Sequence, residues 1–146
     1  MIKKYGITAM IATVLLSLFS CQKATEGQVI GKWKIDGVGA PYERPGAYWQ
    51  FEGNGAITLY LNPENPTNNG VAKGDWKIKK TMTRRFIEIK ITETIGEMDP
   101  HSPIDMTGKW RIDFLNSREM GIVRVDCPTC PTEGQSYIRR DFVKIR

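Results

Sequence analysis

The chain is poor in the residues that most often carry chemistry. Among its 146 residues there is one histidine, and there are three cysteines. One distant histidine and two loop cysteines offer too few ligands for a zinc site. The histidine, His101, stands in "MDPHSP" beside Asp99 and Ser102. Sequence neighbours on a Pro-bounded loop do not share triad geometry, and no serine is set in a nucleophile turn. His101 therefore reads as a solvated loop residue. No glycine-rich phosphate loop is present, and the acidic residues fall on turns or outward strand positions, so no carboxylate pair can be picked out for acid–base work. No enzymatic activity and no cofactor are expected. Basic runs are missing too: beyond the first few residues, no stretch of Lys/Arg exceeds two. A formal charge of +5 spread along the chain speaks of solubility, not of a nucleic-acid footprint. Finally, the longest apolar run, Gly6 to Phe19, is interrupted by Thr8, Thr13 and Ser17 and falls short of the roughly 20 apolar residues that a spanning helix needs.

That run does have a reading. Lys3 and Lys4 precede it as a basic n-region, which is the layout of a secretory signal peptide. It closes on Leu18-Phe19-Ser20-Cys21, which resembles the lipobox of bacterial lipoproteins. The resemblance implies a diacylglyceryl group on Cys21 and cleavage before it, leaving residues 21–146. Two or three acyl chains, at about 0.8 kcal/mol per buried methylene, hold such a chain on a membrane. Residues 21–27 then form a polar, lipidated leash. Gln22 stands where Asp would retain the protein at the inner membrane, so the expected location is the outer membrane, with the leaflet open. Loss of Lys3 and Lys4 takes the formal charge from +5 to +3.

Residues 28–146 suit one domain with one core. Short apolar/polar alternations recur between turn-forming clusters, as in half-buried strands. Eight strands are predicted from Val29 onward. The clearest are Ala47 to Glu52, Ala56 to Leu61, Asp75 to Lys79, Arg85 to Thr92, Thr107 to Leu115 and Met120 to Asp126. Gly53, Asn54 and Gly55 supply a hairpin turn, and "NPENPTNNG" and "GEMDPHSP" are loops. The last segment, Ser136 to Arg146, has apolar residues on both parities, so a bulge is expected there. No helix is predicted. Eight sequential antiparallel strands close readily into an up-and-down barrel, which removes exposed edges; the competitor is a two-sheet sandwich.

One pattern is written three times: "GKWKI" from Gly31, "GDWKI" from Gly74 and "GKWRI" from Gly108. Alternation puts Trp33, Trp76 and Trp110 inward with the following Ile, and the flanking charges outward. The glycine two before each Trp also faces inward, where it is expected to leave room for an indole. Trp33 is predicted toward one barrel end and Trp76, with Trp110, toward the other, the three plugging the barrel. Phe51 and Phe114 are expected inward. Trp49 and Tyr60 are placed near an open rim, as ligand contacts or as ordinary surface aromatics.

"GKWKI" after a short polar leader resembles the Gly-x-Trp motif that opens lipocalins. With "WQFEGNGAITL", "GDWKI", "GKWRI" and "YIRRDFVKIR", the series is similar to the small lipocalin-like domains of bacterial lipoproteins. The second lipocalin motif, Thr-Asp-Tyr, is absent. The resemblance implies an eight-stranded antiparallel barrel, sequestration of a small hydrophobic molecule, and an arginine of the last strand, Arg139 or Arg140, packed over Trp33.

"CPTC" at Cys127 to Cys130 lies in a Pro-rich loop and not at a helix N-terminus, where a dipole would activate a thiol. In an oxidising compartment, a local disulfide between Cys127 and Cys130 is expected. Two functional readings remain. One is a lipid-anchored barrel that sequesters a small hydrophobic ligand. The other is a filled barrel that meets an envelope protein, as an assembly factor or an enzyme inhibitor, through its loops.

Overall fold

The computed structural model describes residues 22–36, 47–60, 72–94, 106–126 and 139–145. Eight strands follow a short helix, α1, at residues 22–29. They are β1 (Gly31–Asp36), β2 (Tyr48–Phe51), β3 (Ala56–Tyr60), β4 (Ala72–Lys80), β5 (Arg85–Thr94), β6 (Gly108–Leu115), β7 (Glu119–Asp126) and β8 (Arg139–Ile145). Each pairs antiparallel with its sequence neighbours, and β8 returns to β1, so the sheet is one closed up-and-down barrel. Closure leaves no sheet edge to manage.

Strand direction sorts the connections. The β2–β3, β4–β5 and β6–β7 turns all lie with α1 at one end, here termed end A. The strand ends that lead into and out of residues 37–46, 61–71, 95–105 and 127–138 all lie at the other, end B. The end-A turns are tight and locally satisfied. At β2–β3, Gly55 has φ +88°, and the Asn54 Oδ1 accepts from the Ala56 amide at 2.9 Å. Gly55 alone needs the left-handed region there; Gly53 and Asn54 do not adopt it. At β6–β7 the Asn116 Oδ1 accepts from the amides of Arg118 and Glu119, both at 2.8 Å. The Thr81 hydroxyl accepts from the Arg84 amide at 3.1 Å at β4–β5.

The period-2 pattern places Trp33 and Ile35, Trp49 and Phe51, Ile57 and Leu59, Trp76 and Ile78, Ile87, Ile89 and Ile91, and Trp110 and Ile112 in one core. Three register shifts modify it: beside Lys73/Gly74, at Lys109/Trp110 and between Ile112 and Phe114. The last overturns one expectation. Alternation from Ile112 puts Phe114 inward, but the bulge turns it outward, and Leu115 packs on the core instead. Phe114 is half-exposed on the barrel wall. Its ring covers Gly121, where a Cβ would collide with it. No shift interrupts β8; Phe142 points inward, and Val143 and Ile145 lie outside.

Residues 22–27, expected to belong to a polar leash, are part of α1, which is docked on end A. Thr25 and Val29 are buried, and the Gln22 Nε2 donates to the Ile78 carbonyl at 3.1 Å. The reason lies in β4. Its residues 72–75 pair with β3, and beyond Trp76 it overhangs the short β2–β3 hairpin. Part of that overhang is covered by α1.

Candidate binding surfaces

The interior is built from indoles set by two different devices. The Trp33 Nε1 donates to the carbonyl of Val29 at 2.7 Å, four residues back. The Trp110 Nε1 donates to that of Met106, also four back, at 2.8 Å. Each ring lies beneath a cation from its ladder partner. Lys144 Nζ is 4.9 Å from the Trp33 ring centre and Arg124 Cζ 4.5 Å from that of Trp110. The glycines two before them share a conformation, φ +139° at Gly31 and +136° at Gly108. The lysine between reaches out over an aromatic ring of the opposite neighbouring strand: Lys32 over Tyr48 at 5.3 Å, Lys109 over Phe86 at 4.5 Å. Gly-Lys-Trp is thus one module used twice.

The middle copy differs. Gly74 has no positive φ; a Cβ there would run into the Lys90 carbonyl and the Ile91 backbone at the bulge. The Trp76 Nε1 donates to Glu52 O at 3.1 Å, under the β2–β3 turn, and its ring meets Phe51 edge-on at 5.5 Å. Trp76 therefore belongs to the Trp33 end of the barrel, not with Trp110, because the pairing of β3 with β4 stops at Ala56 opposite Asp75 and brings the turn down onto the next residue. The pre-Trp glycines do not make room for indoles. They permit a left-handed backbone at Gly31 and Gly108 and a close strand approach at Gly74.

The last-strand arginines also fall elsewhere. The β1–β8 register sets Lys144 opposite Trp33. Arg139 points outward, its guanidinium 5.7 Å from the Phe114 ring centre and its Nε 3.0 Å from Asp141. Arg140 points inward and is buried, as is Arg124. Burial lowers the pKa of Lys144 below the ordinary lysine value.

Trp49 and Tyr60 do not share a rim site. Tyr60 pairs with Tyr48 and stacks on it outside the wall, with centroids 5.1 Å apart and planes at 20°. Trp49 pairs with Trp33 and Leu59 inside and is 0% exposed. Its Nε1 is buried and has no hydrogen-bond partner among the described residues. Zero accessibility extends to Ile57, Ile87, Met120 and Ile122. A void able to hold one water would expose the atoms lining it, so the core around these residues is packed, as protein interiors are.

Two concavities open among the described residues. One, about 720 Å³, opens along β4, β5 and β6 and is lined by the core side chains Trp76, Ile89 and Ile91 together with Lys77, Glu88, Lys90, Lys109, Asp75 and Asp126. Its charges compensate one another: Glu88 meets Lys79 at 2.9 Å and Lys77 at 3.3 Å, and those lysines hold its carboxyl below the usual range. The other, about 410 Å³, lies at end A between Thr25, the β4–β5 turn and Arg111 to Asp113. Among the described residues no group of three or more His, Cys, Asp or Glu gathers to hold a metal. Cys21, His101, Cys127 and Cys130 lie outside the described residues, as does the N-terminal leader.

The eight-stranded antiparallel up-and-down barrel is compatible with a lipocalin-like fold. No protein-family model, curated protein or solved structure matches the chain.

Proposed function

We propose that this protein is a lipid-anchored, filled-barrel interaction module of the cell envelope that binds a protein partner through the connections at end B. The observation that carries this reading is the inaccessible core. With Trp33, Trp49 and Trp110 all 0% exposed, that part of the interior offers no surface to a lipophilic guest. An eight-stranded barrel has room either to be filled by side chains or to hold one small ligand, and four indoles favour the first. All the long connections leave from end B, and surface connections on a rigid scaffold are where recognition usually resides. The anchor rests on the lipobox-like Leu18 to Cys21, and the outer-membrane location on Gln22.

One feature favours the alternative, sequestration of a small hydrophobic molecule. The Trp49 indole N–H is a buried donor without an acceptor among the described residues, and a buried donor left unsatisfied costs about 1–3 kcal/mol. A guest carrying one acceptor would remove that cost. Native mass spectrometry decides between the two, using the chain expressed with its leader and with Cys21→Ser. A clean apo mass is expected. A discrete added mass that disappears on denaturation would overturn the filled-barrel reading and begin to identify the guest.

A further inference from the structure

We propose that end A is a membrane-docking face, built to lie against an anionic phospholipid surface with Met82 as its apolar tip. This rests on the lipid anchor at Cys21 for its setting, but three features of the face argue for it directly.

The first is where the chain enters the barrel. α1 begins at residue 22 and is held down from its first residue, by Gln22 to Ile78 and by buried Thr25. One extended residue spans at most about 3.6 Å. A lipid on Cys21 therefore has no leash between it and the barrel, and end A is brought against the bilayer.

The second is charge. The concavity beside Thr25 is bordered by Lys80, Arg84, Arg85 and Arg111, with Asp113 as the one acid among its lining residues. Asp113 is taken up by Arg111 at 2.8 Å and Arg139 at 3.7 Å. Lys80, Arg84 and Arg85 are left as the surplus that complements phosphate headgroups. Basic residues near an anionic leaflet contribute about 1 kcal/mol each.

The third is Met82. It stands at the tip of the β4–β5 turn, 95% exposed, between Thr81 and Thr83 and two residues before Arg84. An apolar tip ringed by cations fits the headgroup–acyl boundary, where apolar groups bury and basic ones meet phosphate. Docking by end A leaves end B facing away from the membrane.

Methionine oxidation reads the contact directly. The chain is expressed with its leader in a bacterium, extracted in detergent and reconstituted in phosphatidylcholine vesicles with or without phosphatidylglycerol. Flotation reports attachment; peroxide oxidation of Met82, followed by mass spectrometry, reports docking. Met106 and Met120, both 0% exposed, serve as internal controls for folding. Met82 is expected to oxidise several-fold more slowly on the anionic vesicles. Salt near 1 M, where screening acts beyond about 3 Å, should restore its reactivity. The double variant Arg84→Gln/Arg85→Gln should do the same, since losing two such cations weakens the surface attraction about thirtyfold. Equal Met82 oxidation on both vesicle types, in a chain that floats, overturns the docking face and leaves the anchor standing. A chain that does not float with phosphatidylcholine alone, yet floats with the anionic vesicles and shows Met82 protection on them, overturns the anchor and keeps the face.

Discussion

Trp33 tests the interior most sharply, because its neighbours separate packing from hydrogen bonding. The ring is 0% exposed, its Nε1 donates to Val29 at the end of α1 at 2.7 Å, and Lys144 lies over its face. Trp33→Ala should cost about 3–5 kcal/mol, the range for deleting a buried Trp or Phe. That is a large part of the 5–15 kcal/mol that holds a typical domain folded. With a urea m-value of about 2 kcal/mol/M, the midpoint should fall by about 2 M at unchanged m. Far-UV circular dichroism is the better probe, since four tryptophans share the fluorescence. Trp33→Phe keeps most of the ring but strands the Val29 carbonyl, at about 1–2 kcal/mol. Trp49→Phe makes the same chemical change where the indole N–H has no partner, so it should cost about 1 kcal/mol less. A Trp33→Ala midpoint indistinguishable from wild type refutes the packing argument. Equal losses for Trp33→Phe and Trp49→Phe refute the hydrogen-bond argument.

Two further substitutions probe the wall. Gly74→Ala places a Cβ against the Lys90 carbonyl and the Ile91 backbone, which cannot rotate away, and should cost about 1–3 kcal/mol in chemical denaturation. Gly121→Ala meets only the Phe114 ring, a half-exposed side chain that can swing out, so its cost should be clearly smaller; the reverse order would discredit the bulge geometry. For pH, the Lys79 hydrogen bond, joined by Lys77, depresses the Glu88 pKa in the folded state. Its contribution is present above the unfolded carboxylate pKa and fades as pH falls through the lower folded value. Glu88→Gln should therefore be less stable than wild type at neutral pH, by no more than about 1 kcal/mol for so exposed a network. The two melting curves should converge in acid, and a gap that persists there contradicts the assignment.

Much of the barrel can be read before folding. Alternation alone assigns Trp33, Phe51, Ile57, Leu59, Trp76, Ile89 and Trp110 to the core, because a strand turns successive side chains to opposite faces. Phe114 escapes that logic. Its direction depends on a one-residue bulge, and its ring lies over Gly121 across the ladder, a neighbour in space and not in sequence. α1 escapes it too, since eight residues are too few to show a helical period and an isolated helix of that length is not stable in water. Its stability comes from Val29 and Thr25 meeting the barrel end and from Gln22 meeting Ile78. The lysine over Trp33 was equally hidden: "YIRRDFVKIR" offers four cations, and only the register of β8 on β1 selects Lys144.

The linear order of residues determined that this chain would be all-β, with eight strands, three Gly-x-Trp modules and a lipobox-like start. These are consequences of local periodicity and of motifs confined to a few neighbours. Only the tertiary structure decided that two of the three modules are the same device and the third is not, that Trp49 is sealed in the core and not at a rim, and that Met82 and its cations gather beside the point where the N-terminal segment enters. Each of those depends on which strand lies next to which and in what register. That choice is made by the closure of the whole barrel, because a one-residue slip anywhere would turn a strand's inward side chains out to solvent.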